Sequence, residues 1–181
     1  DIIYFPTGGG KTEAYLGSAV LSAFFDRFRG KNYGITAWTR FPLRLLSLQQ
    51  TQRFAEILMY AEIIRLENNE ISSEGKMPFS LGYLVGARNT PNALSSYVEA
   101  NSDASYTEEY ERFANDEELR SETKLFPKCP VCDSKVVLEA TDDLRLAHRC
   151  TAEKENCDWK KRNKGDSEYN TFENDEMPVH I

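Results

Sequence analysis

The sequence predicts an α/β fold in which a partial parallel sheet carries a small β-rich insert. Three observations support this prediction. Strand-like apolar runs alternate with helical periodicity over about the first 90 residues, a glycine-rich turn joins the first run to the first helix, and all four cysteines lie between Cys129 and Cys157. With 181 residues, of which 40% are apolar and 12% aromatic, the chain is long enough to bury a core.

The first predicted element is a strand over Ile2–Phe5, which ends at a proline and three glycines. Residues 13–28 are predicted as a helix because their apolar side chains recur at helical spacing. Tyr33–Thr39 is rich in β-branched and aromatic residues and is predicted as a second strand. A strand, a helix and a second strand in this order form a βαβ unit with parallel pairing.

The pattern continues with a helix over residues 43–66 and a third strand over 79–85, followed by a turn at 89–92. Beyond that turn the chain is acidic and poor in aliphatic residues, and it is predicted as a peripheral helical connection. Met177–Ile181 is predicted as one more strand, whereas Asp175–Glu176 is predicted as loop because polar residues precede it.

The formal net charge of −7 is unevenly distributed. Residues 1–66 carry eight basic and five acidic side chains, whereas residues 67–126 carry five basic and twelve acidic ones. The overall acidity argues against a protein that coats nucleic acid through a general basic surface, but the first third can still face phosphates. No run approaches the roughly 18 apolar residues of a membrane span, so no membrane partner is expected.

Residues 5–12, Phe-Pro-Thr-Gly-Gly-Gly-Lys-Thr, lie between a predicted strand and a predicted helix, which is the context of a phosphate-binding loop. Glycines let successive N–H groups converge on phosphate oxygens at the positive end of the helix. Lys11 is expected to reach the β- and γ-phosphates and Thr12 to coordinate Mg²⁺, which makes them the candidate catalytic residues. The alternative is a glycine-rich turn with a solvent-exposed lysine. The candidate cofactor-binding residues are Thr7, Gly8, Gly9, Gly10, Lys11, Thr12 and Glu13.

The segment after the second predicted strand supplies a second motif. Residues 5–12 resemble the phosphate loop of superfamily 2 helicases, in which the first glycine is commonly replaced, here by Phe5. Residues 41–49 resemble helicase motif Ia at Pro42, Arg44, Leu46 and Gln49. The alternative for Arg44 is the solvent face of an amphipathic helix. By resemblance, the candidate nucleic-acid-binding residues are Arg40, Arg44 and Gln49.

The longer strings at 5–17 and 40–53 are similar to the large bacterial helicases of phage-defence islands, the DISARM helicases. This resemblance implies a P-loop NTPase with a RecA-like fold, ATP and Mg²⁺ as cofactors, and nucleic acid as partner, with DNA favoured over RNA. It also implies a cytoplasmic location, and a second RecA-like domain and an acidic Asp-Glu-x-[Asp/His] motif elsewhere in the same protein. Together with the composition and the cysteine spacing, it predicts four domains: an incomplete RecA-like core (1–95), an acidic helical connection (96–126), a zinc-ribbon insert (127–160) and a loop that returns to the core strand (161–181).

The implied activity is that of an ATP-dependent helicase or translocase, for which the 181-residue chain alone is expected to bind nucleotide weakly without turnover. Two alternatives stay open. One is a P-loop ATPase of another class, which would show no stimulation by nucleic acid. The other is a zinc-ribbon interaction module on a degenerate scaffold.

The cysteines form the pattern Cys129-x₂-Cys132 and Cys150-x₆-Cys157, close to that of a zinc ribbon but with a widened second pair. Residues 135–139 and 144–149 alternate as a hairpin that would bring the two pairs together. Four thiolates complete a structural Zn²⁺ site. Two rival interpretations are disulfide pairing of the cysteines and coordination of the metal by His148. His148 is instead predicted as a strand residue. A basic cluster after Cys157, including Lys160, is predicted as a solvated loop with nucleic-acid contact as the alternative.

Overall fold

The computed structural model describes residues 10–41, 44–72, 77–85, 94–96, 105–162, 172–173 and 175–181. The predicted strand over Ile2–Phe5, the phosphate loop before Gly10 and the turn at 89–92 lie outside these residues. Two compact units divide the described chain. The first takes residues up to Phe79 together with Arg162, and the second takes Ser80–Lys161 and Phe172–Ile181.

The first unit is helical. Helix α1 spans Lys11–Phe28, helix α2 spans Arg44–Glu67, and the short helix α3 spans Asn69–Ser72. Both long predicted helices are therefore confirmed. Helix α1 begins earlier than its apolar periodicity indicates because Gly10, at φ +77°, takes the left-handed conformation that favours glycine and accepts a hydrogen bond from Ala14 N–H at 3.1 Å. The core between the elements contains Val20, Ala23, Phe24, Leu58, Ala61 and Phe79.

A buried ion pair completes this core. Glu62 and Arg65 of α2 pair through two nitrogen–oxygen contacts of 2.7 Å, with side chains 3% and 4% exposed. Glu62 also accepts a hydrogen bond from the Phe79 backbone N–H at 3.0 Å. Arg27 of α1 donates to the carbonyls of Met77 and Pro78 at 2.8 and 3.2 Å. Polar groups of both helices therefore satisfy the backbone of the segment that enters the core at Phe79.

The predicted strand at Tyr33–Thr39 is wrong, since these residues are described and form no regular element. Gly34 has φ +86°, which an extended strand does not permit. Asp26 of α1 instead holds the segment by accepting hydrogen bonds from Lys31 and Thr36, both at 2.7 Å. Ile35 and Trp38 are 67% and 73% exposed, so the β-branched and aromatic composition reflects neither burial nor strand pairing here.

The described residues of the second unit form three two-stranded sheets. Strand β1 (Leu81–Gly82) pairs in parallel with β6 (Val179–His180), and β2 (Ser95–Ser96) pairs antiparallel with β3 (Ser105–Tyr106). The predicted strands at 79–85 and 177–181 are thus present but shorter. Within the described residues, β1 and β6 are the only strands that pair in parallel, so a RecA-like parallel sheet is not shown.

The third sheet is the predicted hairpin, confirmed with β4 at Val136–Ala140 and β5 at Leu146–Cys150. Helices α4 (Glu108–Asn115) and α5 (Glu117–Thr123) begin at the side-chain caps Thr107 and Asp116. Both helices contact β4, so the acidic segment is not peripheral as the sequence predicts. Its apolar residues supply the reason, because they join those of the hairpin in one core of Phe113, Leu138 and Leu146, with Leu94, Leu119, Ala140 and Ile181 packed around it.

Residues 175–177 form a further edge of this hairpin, although Asp175–Glu176 is predicted as loop. Cys150 N–H donates to the Asp175 carbonyl at 3.0 Å, and Met177 N–H donates to the His148 carbonyl at 2.8 Å. The Glu176 carboxylate, 3% exposed, pairs with Arg145 at 2.7 Å. Glu176 therefore has a structural role in holding the returning chain against β5. The sequence does not reveal this role because its partner lies about 30 residues earlier.

Candidate functional sites

The first cysteine pair lies in a turn immediately before the hairpin. Cys129 N–H donates to the Ser134 carbonyl at 2.7 Å, and Asp133 N–H donates to the Cys129 carbonyl at 2.9 Å. Asp133 has φ +61°, a conformation that aspartate tolerates better than most side chains. These backbone bonds close the turn, the ion pair of Lys128 with Asp133 at 2.8 Å spans it on the surface, and Cys129 and Cys132 lie on one side of it.

The second pair joins the end of the hairpin to a short helix. Cys150 is the last residue of β5, and Cys157 follows a 3₁₀ turn at Lys154–Asn156 and directly precedes helix α6, Asp158–Lys161. Register pairing of Val136 with Cys150 places the start of β4, just after the first cysteine pair, beside the second pair. The hairpin thereby assembles cysteines that are up to 28 positions apart in the sequence.

The four sulfur atoms fit a single metal ion. All of them lie within 4.8 Å of one another, and the Sγ atoms of Cys132 and Cys150 are 3.5 Å apart. Ligands at about 2.3 Å from a tetrahedral Zn²⁺ are about 3.8 Å from each other. A disulfide needs sulfurs about 2.05 Å apart, and the four cysteines are free thiols. The structure thus favours the predicted four-cysteine site, which could hold zinc, over disulfide pairing.

The thiols of this cysteine cluster differ in their surroundings. Burial raises the pKa of Cys129 above its ordinary range and raises that of Cys150 to about 11. For Cys132 burial acts in the same direction, but hydrogen bonds with Ser134 and with neighbouring thiols outweigh it and lower the pKa to about 7. Because a metal ion takes thiolates, its binding must displace protons from the buried thiols. Metal affinity is therefore expected to rise with pH.

His148 is the rival ligand that the sequence offers, and its ring is engaged elsewhere. The side chain is fully buried, its Nε2 accepts a hydrogen bond from Leu125 N–H at 3.1 Å, and it lies edge-on to Phe126. Burial lowers the pKa of His148 to about 3, with a smaller contribution from Lys124. The imidazole is thus a neutral acceptor for the chain that enters the turn of Cys129 and Cys132.

The phosphate-loop candidates are described only from Gly10 onward, whereas Thr7, Gly8 and Gly9 lie outside the described residues. Lys11 is the first residue of α1 and its side chain is exposed, and Thr12 is half-buried beside it. The exposed Glu13 forms an ion pair with Arg53 of α2 at 2.5 Å. Both side chains are exposed, and the hydrogen bond from Arg53 lowers the pKa of Glu13.

The motif Ia candidates lie around the start of α2. Arg40 is exposed in the irregular segment before the helix, and Gln49 is exposed on the helix. Arg44 is the first residue of α2, and its side chain lies outside the described residues. A contact outside residues 5–12 and 41–49 links this helix to α1, because the Tyr15 hydroxyl donates a hydrogen bond to the Gln50 side chain. This contact and the Glu13–Arg53 pair join the two helices that carry the motifs.

Comparison with known proteins adds one relative. The chain is similar to the DISARM protein DrmA of Bacillus paralicheniformis. The two sequences are 37% identical over 106 residues, which is 55% of this chain. The chain spans about 9% of the length of that protein. No protein-family model and no solved structure matches the chain.

The similarity to a DISARM protein agrees with the DISARM part of the resemblance that the strings at 5–17 and 40–53 show. Within the described part of the chain, no helix combines the length and apolar content that crossing a bilayer requires.

Sequence motifs also miss a residue beside the cysteine cluster. Lys160 lies in the basic cluster that the sequence assigns to a solvated loop, but its Nζ donates to the backbone carbonyls of Cys150 and Ala152. One signal for this contact was available, since Lys160 follows Cys157 by about one helical turn.

Proposed function

We propose that this chain is the ATP-binding portion of a DrmA-like nucleic-acid helicase or translocase of anti-phage defence. The observation that carries the proposal is the 37% identity to the DISARM protein DrmA, in a chain whose motifs independently resemble helicases. The proposal includes an incomplete RecA-like core over residues 1–95. A second RecA-like domain and the acidic Mg²⁺-binding motif would lie elsewhere in the intact protein, which is cytoplasmic in this proposal.

The start of α1 provides the chemistry for nucleotide binding. An 18-residue helix directs its positive end toward the residues that precede it, and Gly10 enters it in the left-handed conformation that a phosphate loop uses. The exposed Lys11 can then approach phosphate oxygens without first breaking a buried contact. Thr12 supplies the hydroxyl for Mg²⁺, while ATP supplies the phosphoryl group whose transfer drives closure of the two domains.

The start of α2 provides the nucleic-acid contact in this proposal. Arg40 and Gln49 are exposed there, and Arg44 begins the helix. Contacts from such residues to the sugar-phosphate backbone position a strand without reading its sequence. The ion pair of Glu13 with Arg53 and the bond of Tyr15 with Gln50 couple this helix to the phosphate-loop helix. A change at the nucleotide can thereby reach the nucleic-acid contact.

The test uses the intact protein. Nucleic-acid-stimulated ATP hydrolysis should fall by at least about 100-fold in K11A, because Lys11 stabilises the charge that develops in phosphoryl transfer. The matched control is K154A, which removes an exposed lysine from the 3₁₀ turn in the second unit. Stimulation of ATPase by DNA but not by RNA would support the assignment to DNA. ATP hydrolysis that is unaffected by K11A, or that does not respond to any nucleic acid, would contradict the proposal.

We also propose that the cysteine cluster binds one structural Zn²⁺. The observation that carries this second function is the convergence of four thiols within 4.8 Å. All four positions of a tetrahedral ion are then filled by protein, which leaves no open position for a substrate. The zinc ion therefore fixes the hairpin and the helix that follows it. Metal analysis of the reduced, natively folded chain should find about one equivalent of zinc, and a zinc-free folded protein would reject the site.

A further inference from the structure

The two cysteine pairs of the proposed zinc site are closed in different ways. Backbone hydrogen bonds close the turn around Cys129 and Cys132. The loop between Cys150 and Cys157 has six residues. Its first residue, Thr151, donates from its N–H to the Lys135 carbonyl at 3.0 Å, and the remaining bonds are local, from Asn156 to Glu153 at 3.0 Å and from Cys157 to Lys154 at 3.4 Å. These local bonds shape the 3₁₀ turn, but they do not tie one cysteine of the second pair to the other.

A side chain makes that connection. Lys160 Nζ donates to the Cys150 carbonyl at 3.1 Å and to the Ala152 carbonyl at 2.7 Å. The backbone N–H of the same residue donates to the Cys157 carbonyl at 2.9 Å. Lys160 is thus bonded to the backbones of both cysteines in the widened pair. We propose that Lys160 is a positioning residue of the metal site that clasps Cys150 to Cys157, an inference that rests on the proposed zinc site.

The position of Lys160 is itself fixed by the core of the second unit. The neighbouring Trp159 is fully buried, and its indole N–H donates to the Glu176 carbonyl at 2.9 Å. Glu176 is held in turn by Arg145. Helix α6 therefore cannot rotate without exposing the indole ring, so the Lys160 side chain stays directed toward the Cys150 carbonyl.

The positive charge of Lys160 suits this position, as does the length of its side chain. Four thiolates around one divalent cation leave an excess of two negative charges in a mostly buried site. An ammonium group on the backbone of a ligand residue offsets part of that excess, and it does so more effectively near a low-dielectric interior than in bulk water. Residues that hydrogen-bond to metal ligands typically contribute about 10–100-fold to metal affinity.

The adjacent Lys161 offers a matched control. Its Nζ pairs with Asp158 at 2.9 Å on the surface, with side chains 49% and 70% exposed. Its backbone N–H also donates to the Cys157 carbonyl, at 3.0 Å, and a side-chain substitution leaves that bond in place. K161M therefore removes one positive charge from the same helix without removing a side-chain contact to the cysteine loop.

The experiment measures metal release from the full 181-residue chain. Wild type, K160M, K160Q, K160R and K161M are loaded with Zn²⁺, and transfer of the ion to a chromogenic chelator is timed. Loading with Co²⁺ in parallel reports the tetrahedral thiolate geometry through its visible absorption. We expect K160M and K160Q to release zinc about 10–100-fold faster than wild type. K160R, which retains the charge and the donors, should stay within about 3-fold of wild type, and K161M should match it.

The outcomes separate the two proposals. If wild type takes up neither ion, the zinc site is wrong and the clasp with it. If wild type binds both ions but K160M and K160Q release zinc at the rate of K161M, the site stands and the clasp is overturned. Should K160M fail to fold, the comparison of K160Q with K161M decides by the same criterion. Faster release from K160R, equal to that of K160M, would also overturn the clasp.

Discussion

The buried pair of Glu62 and Arg65 allows a quantitative test of the first unit. The perturbation is Glu62→Gln, which keeps the size of the side chain and removes its charge. The carboxylate accepts two hydrogen bonds of 2.7 Å from Arg65 and one of 3.0 Å from the Phe79 backbone. A glutamine amide offers one acceptor oxygen, and its NH₂ group faces the donors of Arg65. The guanidinium would thus stay buried with its charge uncompensated.

The expected loss follows from that burial. The Glu62 and Arg65 side chains are only 3% and 4% exposed, so water does not screen the interaction between their charges. Removing one partner of such a pair costs about 3–5 kcal/mol. With an m-value of about 2 kcal/mol per molar urea, the midpoint for unfolding should fall by about 1.5–2.5 M.

The assay is urea unfolding followed by circular dichroism at 222 nm, with attention to the transition of the long helices α1 and α2. Glu56→Gln is the control, because Glu56 is an exposed residue of α2 and its change should stay within about 0.5 kcal/mol of wild type. The double variant Glu62→Leu with Arg65→Met should recover most of the loss, since apolar replacement of a buried ion pair is often neutral. Equal midpoints for the Glu62 and Glu56 variants would refute the reasoning.

Three further results are expected. Phe113→Ala removes a large side chain from the core of the second unit and should cost about 3–5 kcal/mol of unfolding free energy, measured by urea unfolding with tryptophan emission; a loss below 1 kcal/mol would contradict that burial. Cys157→Ser removes one of four thiolates and should weaken metal binding by more than about 100-fold in a chelator competition, whereas unchanged binding would exclude Cys157 as a ligand. Hydrogen bonds from Lys31 and Thr36 lower the pKa of Asp26 from 3.8 to about 2, so this carboxylate stabilises the fold above its ordinary pKa and the effect is lost as the pH falls toward 2. Asp26→Asn should flatten that part of the pH–stability curve, and an unchanged slope would show that other carboxylates produce it.

The sequence predicted well those elements whose signals are local. Helices α1 and α2 carry apolar residues at helical spacing over five or more turns, and the structure has both. The hairpin between the cysteine pairs follows from alternation around a turn, and it too is present. The four-cysteine cluster belongs to this group because the spacing of thiols around a hairpin restricts where they can meet.

The sequence predicted wrongly those segments whose structure depends on a partner distant in the chain. Tyr33–Thr39 has the composition of a strand, but the Asp26 carboxylate binds the segment and Gly34 turns it. The acidic segment before the hairpin lacks an aliphatic pattern, yet Phe113 is buried in the hairpin core. Composition records what a segment could bury, whereas the neighbours that the fold brings to it determine what it does bury.

The sequence by itself determined the identity of the motifs: the glycine-rich loop that ends at Lys11 and Thr12, the helix that follows Arg40, and four cysteines at ribbon-like spacing. Only the tertiary structure showed that Glu176 lies against β5 and that the Lys160 ammonium group donates to the Cys150 carbonyl. The physical reason is the distance along the chain over which each kind of interaction acts. Periodicity and motif spacing act over a few residues along the chain, whereas a buried charge or a side-chain clasp depends on partners that folding brings together.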